Sequence, residues 1–183
     1  MRKVTAALFA SVDGVVEAPN LFQFDHFDAD MGPVMMTALA KQDTVILGRR
    51  TYEEWSDYWP QAPAEDGFAA YINPITKWVA SRTLSAPLAW NNSHLIQGDA
   101  VEFVRNLKGG EGGEINVAGS PTLVRALLLG GVLDTLTLMV HPVVAGSGLR
   151  RLFHDDDPTT RLILVDHLIT RSGNALLTYS LRP

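Results

Sequence analysis

Short apolar runs alternate with amphipathic stretches along most of the chain. Val4 to Ala10 is nearly continuous in apolar character, the pattern of a strand buried on both faces. Val45-Ile46-Leu47, Ile75 to Ala80, Ser93 to Ile96, Glu114 to Ala118, Leu133 to Val140 and Arg161 to Leu168 read as further strands. Ala175 to Leu181 alternates through Leu177, Tyr179 and Leu181 and pairs with the preceding strand as a hairpin around Ser172-Gly173-Asn174. Between these runs, Asp28 to Lys41 puts Met31, Val34, Met35, Ala38 and Leu39 on one helical face, with Asp28 or Asp30 as its cap. A second helix opens after Gly48 and ends at Tyr58-Trp59-Pro60; Phe68 to Asn73 and Asp99 to Leu107 read as two more. Gly119-Ser120-Pro121-Thr122 begins a helix running to Leu129, with Ser before Pro suiting an N-cap and first helical position. The pattern predicts an α/β fold, a three-layer arrangement with a mixed, mostly parallel sheet flanked by helices and a C-terminal antiparallel hairpin. Residues 1–183 form a single domain, because the flexible glycine connection at 108–113 is too short to divide them.

Composition narrows the function. The formal charge of −5 argues against a general nucleic-acid or anionic-membrane binder. The absence of cysteine removes disulfides, thiolate zinc sites and a cysteine nucleophile. No apolar run approaches the roughly 20 residues that cross a bilayer. The apolar run after Met1-Arg2-Lys3 stops at Ser11 and Asp13, too early for a signal peptide, and the expected location is the cytoplasm. The five histidines are scattered, with no H-E-x-x-H helix, and no metal site is expected. Asp155-Asp156-Asp157 before Pro158 reads as a solvated turn. The aromatics of Leu21 to Phe27 either plug the core edge or wall a flat ligand.

Chemistry concentrates at three strand ends: Gly48-Arg49-Arg50-Thr51, Ser81-Arg82-Thr83 and Gly119-Ser120-Pro121-Thr122. In an open α/β sheet, ligands bind outside the carboxyl ends of the strands. Two of these ends are helix starts, where free N–H groups and the helix dipole favour an anion, although Thr51 also suits a plain N-cap. With Arg49, Arg50 and Arg82 beside them, the three ends suit a phosphorylated dinucleotide, NADP rather than NAD. There is no G-x-G-x-x-G opening a first βα unit, no Walker A lysine and no G-x-S-x-G elbow.

The ordered set Ser11-x-Asp13-Gly14, Leu47-Gly48-Arg49-Arg50-Thr51-Tyr52-Glu53, Ser81-Arg82-Thr83-Leu84, Ala118-Gly119-Ser120-Pro121-Thr122-Leu123, Leu133-Asp134 and His141-Pro142-Val143-Val144 resembles the dihydrofolate reductase-like superfamily. The closest branch resembles the C-terminal reductase domain of the bifunctional riboflavin biosynthesis protein. The resemblance implies a sheet of about eight strands, NADPH as hydride donor, a small-molecule substrate and often a homodimer. It implies that Arg49, Arg50 and Thr51 hold adenosine-side phosphates and that Ser81 and Arg82 flank the adenine and its ribose phosphate. It further implies that Gly119 to Leu123 cradle the pyrophosphate and that the segment from Asp13 to Val16 lies against the nicotinamide. Two departures argue against the familiar substrates: Gly32 stands near the place of the pterin-binding carboxylate, with Asp28 and Asp30 close by, and Ala118 stands where the riboflavin reductases have a glutamate. The expected activity is NADPH-dependent reduction of a small heterocyclic, pterin- or pyrimidine-like, or carbonyl substrate, with Asp13 as the polar group nearest the chemistry. Tyr52, Trp55, Phe22 and Phe24 either shape the pocket or pack the core. The alternatives are a nucleotide-binding sensor or scaffold without turnover, and a structural dimer joined through the 133–140 strand edge and the terminal hairpin.

Overall fold

A computed structural model of the chain describes residues 1–23, 27–63, 65–146 and 148–181. Its strands are β1 (Val4–Ser11), β2 (Gln42–Gly48), β3 (Thr76–Ala80), β4 (Ser93–Leu95), β5 (Glu114–Gly119), β6 (Thr135–His141), β7 (Leu162–Ile169) and β8 (Ala175–Leu181). Its α-helices are α1 (Met31–Leu39), α2 (Arg49–Tyr58), α3 (Gly67–Ile72), α4 (Ala100–Lys108) and α5 (Pro121–Leu129). The eight strands form one sheet in the order β4-β3-β2-β5-β1-β6-β8-β7. Contacts from β4 through to β6 are parallel, and β8 runs antiparallel to both β6 and β7. This is the mixed, mostly parallel sheet with a terminal hairpin that the hydrophobic pattern predicts. The strand at 133–140 is not an edge, however: β6 lies between β1 and β8, and the free edge beside the hairpin is β7.

Alternation along the strands sorts the core between two faces. Val4, Ala6, Leu8 and Ala10 of β1, Ile46 of β2 and Ile115 and Val117 of β5 pack with Val104 of α4 and with Leu123, Val124, Leu127 and Leu128 of α5. On the other face, Val45 and Leu47 meet Tyr52 of α2 and Ile72 of α3, and Trp55 packs against them. Tyr52 and Trp55 are therefore core residues rather than pocket walls. On the same face, Phe9 and Met139 meet Met31 and Met35 of α1. Of the predicted α1 stripe only Met31 and Leu39 are buried, because α1 covers a small patch of sheet and leaves Val34 and Ala38 exposed. Phe24, Asp25 and His26 lie outside the described residues. Beside them, Phe22 and Phe27 stack edge-on against His141 and Phe9, with ring centroids 6.2 and 6.4 Å apart. His141 itself is fully buried at the end of β6.

Two connections are better ordered than the sequence suggests. The glycine-rich segment before β5 is pinned: Asp43 accepts the Gly113 N–H at 2.6 Å, and Arg2 donates to the Gly113 carbonyl at 2.8 Å while pairing with Asp43. The acidic turn is not simply solvated. Asp157 accepts from the Arg125 guanidinium of α5, with Nε at 2.7 Å, and from the His154 N–H at 2.9 Å. These bonds, the arginine foremost, hold its carboxyl at about 2. No helix among the described residues is long and apolar enough to cross a membrane.

Lys77 is fully buried in β3. Its ammonium donates to the carbonyls of Ile72, Asn73 and Ile75 at 2.8–3.1 Å and lies 4.5 Å over the Trp90 ring. It closes the C-terminal end of α3, whose last carbonyls have no helical partner. Burial pulls its pKa down to about 8, while the carbonyls and the ring face favour the charged form. Lys77→Met strands those acceptors and should cost about 2 kcal/mol. A drop of roughly 4–8 °C in melting temperature is the expected readout, and an unchanged value would remove Lys77 from this role.

Candidate functional site

The connection from β2 leads through α2 and α3 to β3 on one side of the sheet, and the connection from β5 leads through α5 to β6 on the other. The chain direction therefore switches between these two neighbouring strands. A switch point opens a crevice at the carboxyl ends of the strands. The two ends interlock closely. A Cβ on Gly48 would lie 2.7 Å from Ser120 Oγ and 2.8 Å from Ser120 N. A Cβ on Gly119, whose φ is +139°, would lie 2.8 Å from Thr51 Oγ1. Only glycine allows both approaches. The Gly119–Ser120 peptide is cis. Thr51 and Ser120 thus meet the opposite strand's glycine, and the first turns of α2 and α5 converge.

These two helix starts differ from the others. Asp66 caps α3, accepting the N–H groups of Phe68 and Ala69, and Asp99 caps α4, accepting that of Glu102. Asp28 Oδ1 serves α1 by accepting from Asp30 and Met31. At α2 and α5 the N-cap positions fall on Gly48 and Ser120, and neither has a side-chain cap bond. Thr51 is therefore inside the first turn of α2, not its N-cap. Pro121 takes the first helical position of α5, Thr122 is exposed, and Leu123 turns into the core. Helix starts without side-chain caps leave first-turn N–H groups and the positive end of the helix dipole open to an anion.

The arginines are not equivalent. Arg49 is held by Glu53 one turn along α2, through Nη1 at 2.8 and 3.0 Å. Arg50 lies 3.6 Å from Glu17. Arg82 sits in the exposed turn after β3, and no hydrogen bond or ion pair among the described residues engages it. Beside it, Ser81 Oγ accepts the N–H groups of Thr83 and Leu84 at 3.2 and 3.0 Å, fixing the turn that presents Arg82.

On the far side of β5, the end of β1 is tied to the loop after β6. Asp13 Oδ1 accepts from Ser11 Oγ at 2.6 Å and from the Ala145 N–H at 2.9 Å, and Oδ2 from the Gly146 N–H at 3.1 Å. Arg151 donates to the Asp13 carbonyl at 2.8 Å, and the Val16 N–H donates to the Arg150 carbonyl at 3.0 Å. The Val16 side chain packs in the core. Led by the Ser11 hydroxyl, these bonds hold the Asp13 carboxyl at about 2. It is a carboxylate at neutral pH, engaged as a loop anchor and poorly suited to proton donation. Asp28 and Asp30 are also committed. Asp30 pairs with Arg171, with Nη2 at 2.7 Å, and Asp28 accepts from Ser172, fastening α1 to the β7–β8 turn. Both carboxyls are held below their ordinary range by these partners.

Glu17, Arg150 and Arg151 belong to this end of the molecule, and the sequence did not single them out. A pair of adjacent arginines in a glycine-containing loop was the available signal, but no spacing shows that they return to residues 13–17.

Asp13 stabilises above its unfolded range near pH 4, and that contribution is lost as pH falls towards 2, because its folded pKa is the lower one. Asp13→Asn should therefore flatten the acid limb of a melting-temperature profile between about pH 4 and 2. An unaltered limb would show that the anchor carries no stability.

Comparison with known proteins gives the family and the fold. The Bacillus subtilis (strain 168) protein YyaP is 28% identical over 182 residues, covering 97% of this chain and 94% of its own. The crystal structure of a putative riboflavin biosynthesis protein from Shewanella sp. PV-4 superposes with a TM-score of 0.74 at 16% identity, covering 99% of each chain. A pyrimidine reductase-like protein from Corynebacterium diphtheriae superposes at 0.71 with 15% identity, covering 100% of this chain and 92% of its own. The family model described as the RibD C-terminal domain matches residues 2–176; with the sheet order and strand-end geometry above, the chain belongs to that family of reductase domains.

Proposed function

We propose that this chain is a cytoplasmic NADPH-dependent reductase of a small heterocyclic, pterin- or pyrimidine-like, or carbonyl substrate. The observation that carries the reading is the pair of uncapped helix starts, α2 and α5, brought together where Gly48 and Gly119 interlock. The donor set fits a dinucleotide phosphate. Ser120, Pro121, Thr122 and Leu123 would hold the pyrophosphate at the start of α5, with Gly48, Arg49, Arg50 and Thr51 facing it from α2. Arg82, presented by the Ser81 turn, would take the extra phosphate. When bound, the dinucleotide supplies the hydride. The chain's own contribution is to orient: helix N–H groups fix the phosphates, and the Asp13 bonds hold the segment through Val16 against the loop after β6. Among the described residues that the site assembles, none stands out as a free general acid, so the proton that completes the reduction would come from solvent.

Calorimetry with NADPH and NADH tests this. NADPH should bind clearly more tightly, and Arg82→Ala should weaken it by roughly tenfold with little effect on NADH. No heat with either dinucleotide would sink the reading. Binding without turnover of any planar heterocycle or carbonyl compound would favour the sensor alternative.

The same proposal extends to a homodimer formed along β7. This outer strand exposes Ile163, Leu164, Val165 and Ile169 by 40–61%, and a long apolar edge is a ready template for pairing. Val165→Lys should convert a dimer to a monomer in analytical ultracentrifugation. A wild-type monomer at micromolar concentration would dismiss it.

A further inference from the structure

Glu17 stands between Arg50 of α2 and Arg150 of the loop after β6. Its Oε2 accepts the Arg150 N–H at 3.0 Å, and its own N–H donates to the Arg150 carbonyl at 3.3 Å. Its Oε1 lies 3.5 Å from Arg150 Nε and 3.6 Å from Arg50 Nη1. The carboxylate is thus held by backbone bonds that do not depend on Arg50. Arg50 is held differently. Its side chain is 53% exposed, and its contact with Glu17 is longer than a hydrogen bond, so charge attraction alone keeps it there. Because β5 lies between β2 and β1 in the sheet, the Arg50–Glu17 contact runs from the first turn of α2 to the segment after β1. It spans the end of β5, where Gly119 and Ser120 turn into α5. An anion docking on the two uncapped helix starts enters the same space.

We propose that Glu17 is a positioning residue of the anion site that competes with bound phosphate for Arg50. This rests on the dinucleotide reading given above. In the structure the Glu17 carboxylate neutralises Arg50 and draws it across the end of β5. A phosphate at the helix starts draws Arg50 away, while Glu17 stays fastened to Arg150. The competition lowers affinity and speeds release. It gives the site a built-in means of exchanging a multiply charged ligand instead of retaining it.

Glu17→Gln tests this, because the amide oxygen still accepts from Arg150 while the charge is removed. Titration calorimetry and stopped-flow displacement with NADPH should show Kd falling by about two- to fivefold, chiefly through slower release. The salt dependence of binding should steepen. In an Arg50→Gln background, the same change at Glu17 should have no effect on Kd. Unchanged or weaker NADPH binding by Glu17→Gln would overturn the proposal. Equal tightening in both backgrounds would also overturn it, since Glu17 would then act by direct repulsion rather than through Arg50. Should Glu17→Gln lower the melting temperature, the wild-type protein decides by NMR. The Arg50 guanidinium signal should shift on NADPH addition, and an unmoved signal refutes the exchange. Wild-type protein that binds no NADPH overturns the dinucleotide reading and this inference together, whereas wild-type binding with an indifferent Glu17→Gln removes this inference alone.

Discussion

Two glycines pressed against two hydroxyl-bearing residues set the geometry on which the candidate site of this protein depends. Adjacent strands lie about 4.8 Å apart, whereas packed helices need roughly 8–10 Å between axes. Helices that leave neighbouring strands toward opposite faces do not compete for that space. Here α2 goes to one face and α5 to the other, and their first turns converge only at the shared edge. Gly48 admits Ser120, and Gly119 admits Thr51. A side chain at either glycine would force the strand ends apart and separate the two helix starts. The meeting of the two helix starts is thus a consequence of sheet order, since β2 and β5 are neighbours whose connections leave in opposite directions.

Electrostatics reinforce that geometry. The chain carries a formal charge of −5, and its acids are spent in particular places. Aspartates serve the starts of α1, α3 and α4, Asp13 anchors the end of β1, and Asp157 fastens the loop before β7 to α5. Each is a local use of a carboxylate to satisfy N–H groups or a guanidinium. The starts of α2 and α5 are left to arginines and backbone donors. Two glutamates stand beside those starts, Glu53 against Arg49 and Glu17 between Arg50 and Arg150.

The ends of β1 and β6 are built on a different principle. Phe9, Phe22 and His141 make an aromatic floor at the ends of β1 and β6, and the nearby acids Asp28 and Asp30 hold α1 to the β7–β8 turn. Neither carboxylate is available to take the place of the pterin-binding acid missing near Gly32.

Much of this was legible along the chain. Period-two and period-3.6 patterns mark all eight strands and all five helices within a few residues, because each element must present an apolar face to a neighbour. Gly48, Ser81 and Gly119 mark the three strand ends because turn and helix-start chemistry is local. The β6 edge was misplaced for the opposite reason: an apolar run such as 133–140 looks the same in the centre of a sheet as at its rim. The pinning of Gly113 by Asp43 and Arg2 joins residues far apart in sequence, and so does the clasp of Asp13 and Glu17 by the loop at 145–151. Such bonds leave no periodic trace. By itself, the sequence determined the elements, the strand-end motifs and the family, since these rest on local backbone preference and burial pattern. Only the tertiary structure decided which arginines are already paired, which helix starts are left uncapped and which carboxylate stands opposite Arg50. Charge pairing depends on distances of a few ångströms between segments that only the folded sheet brings together.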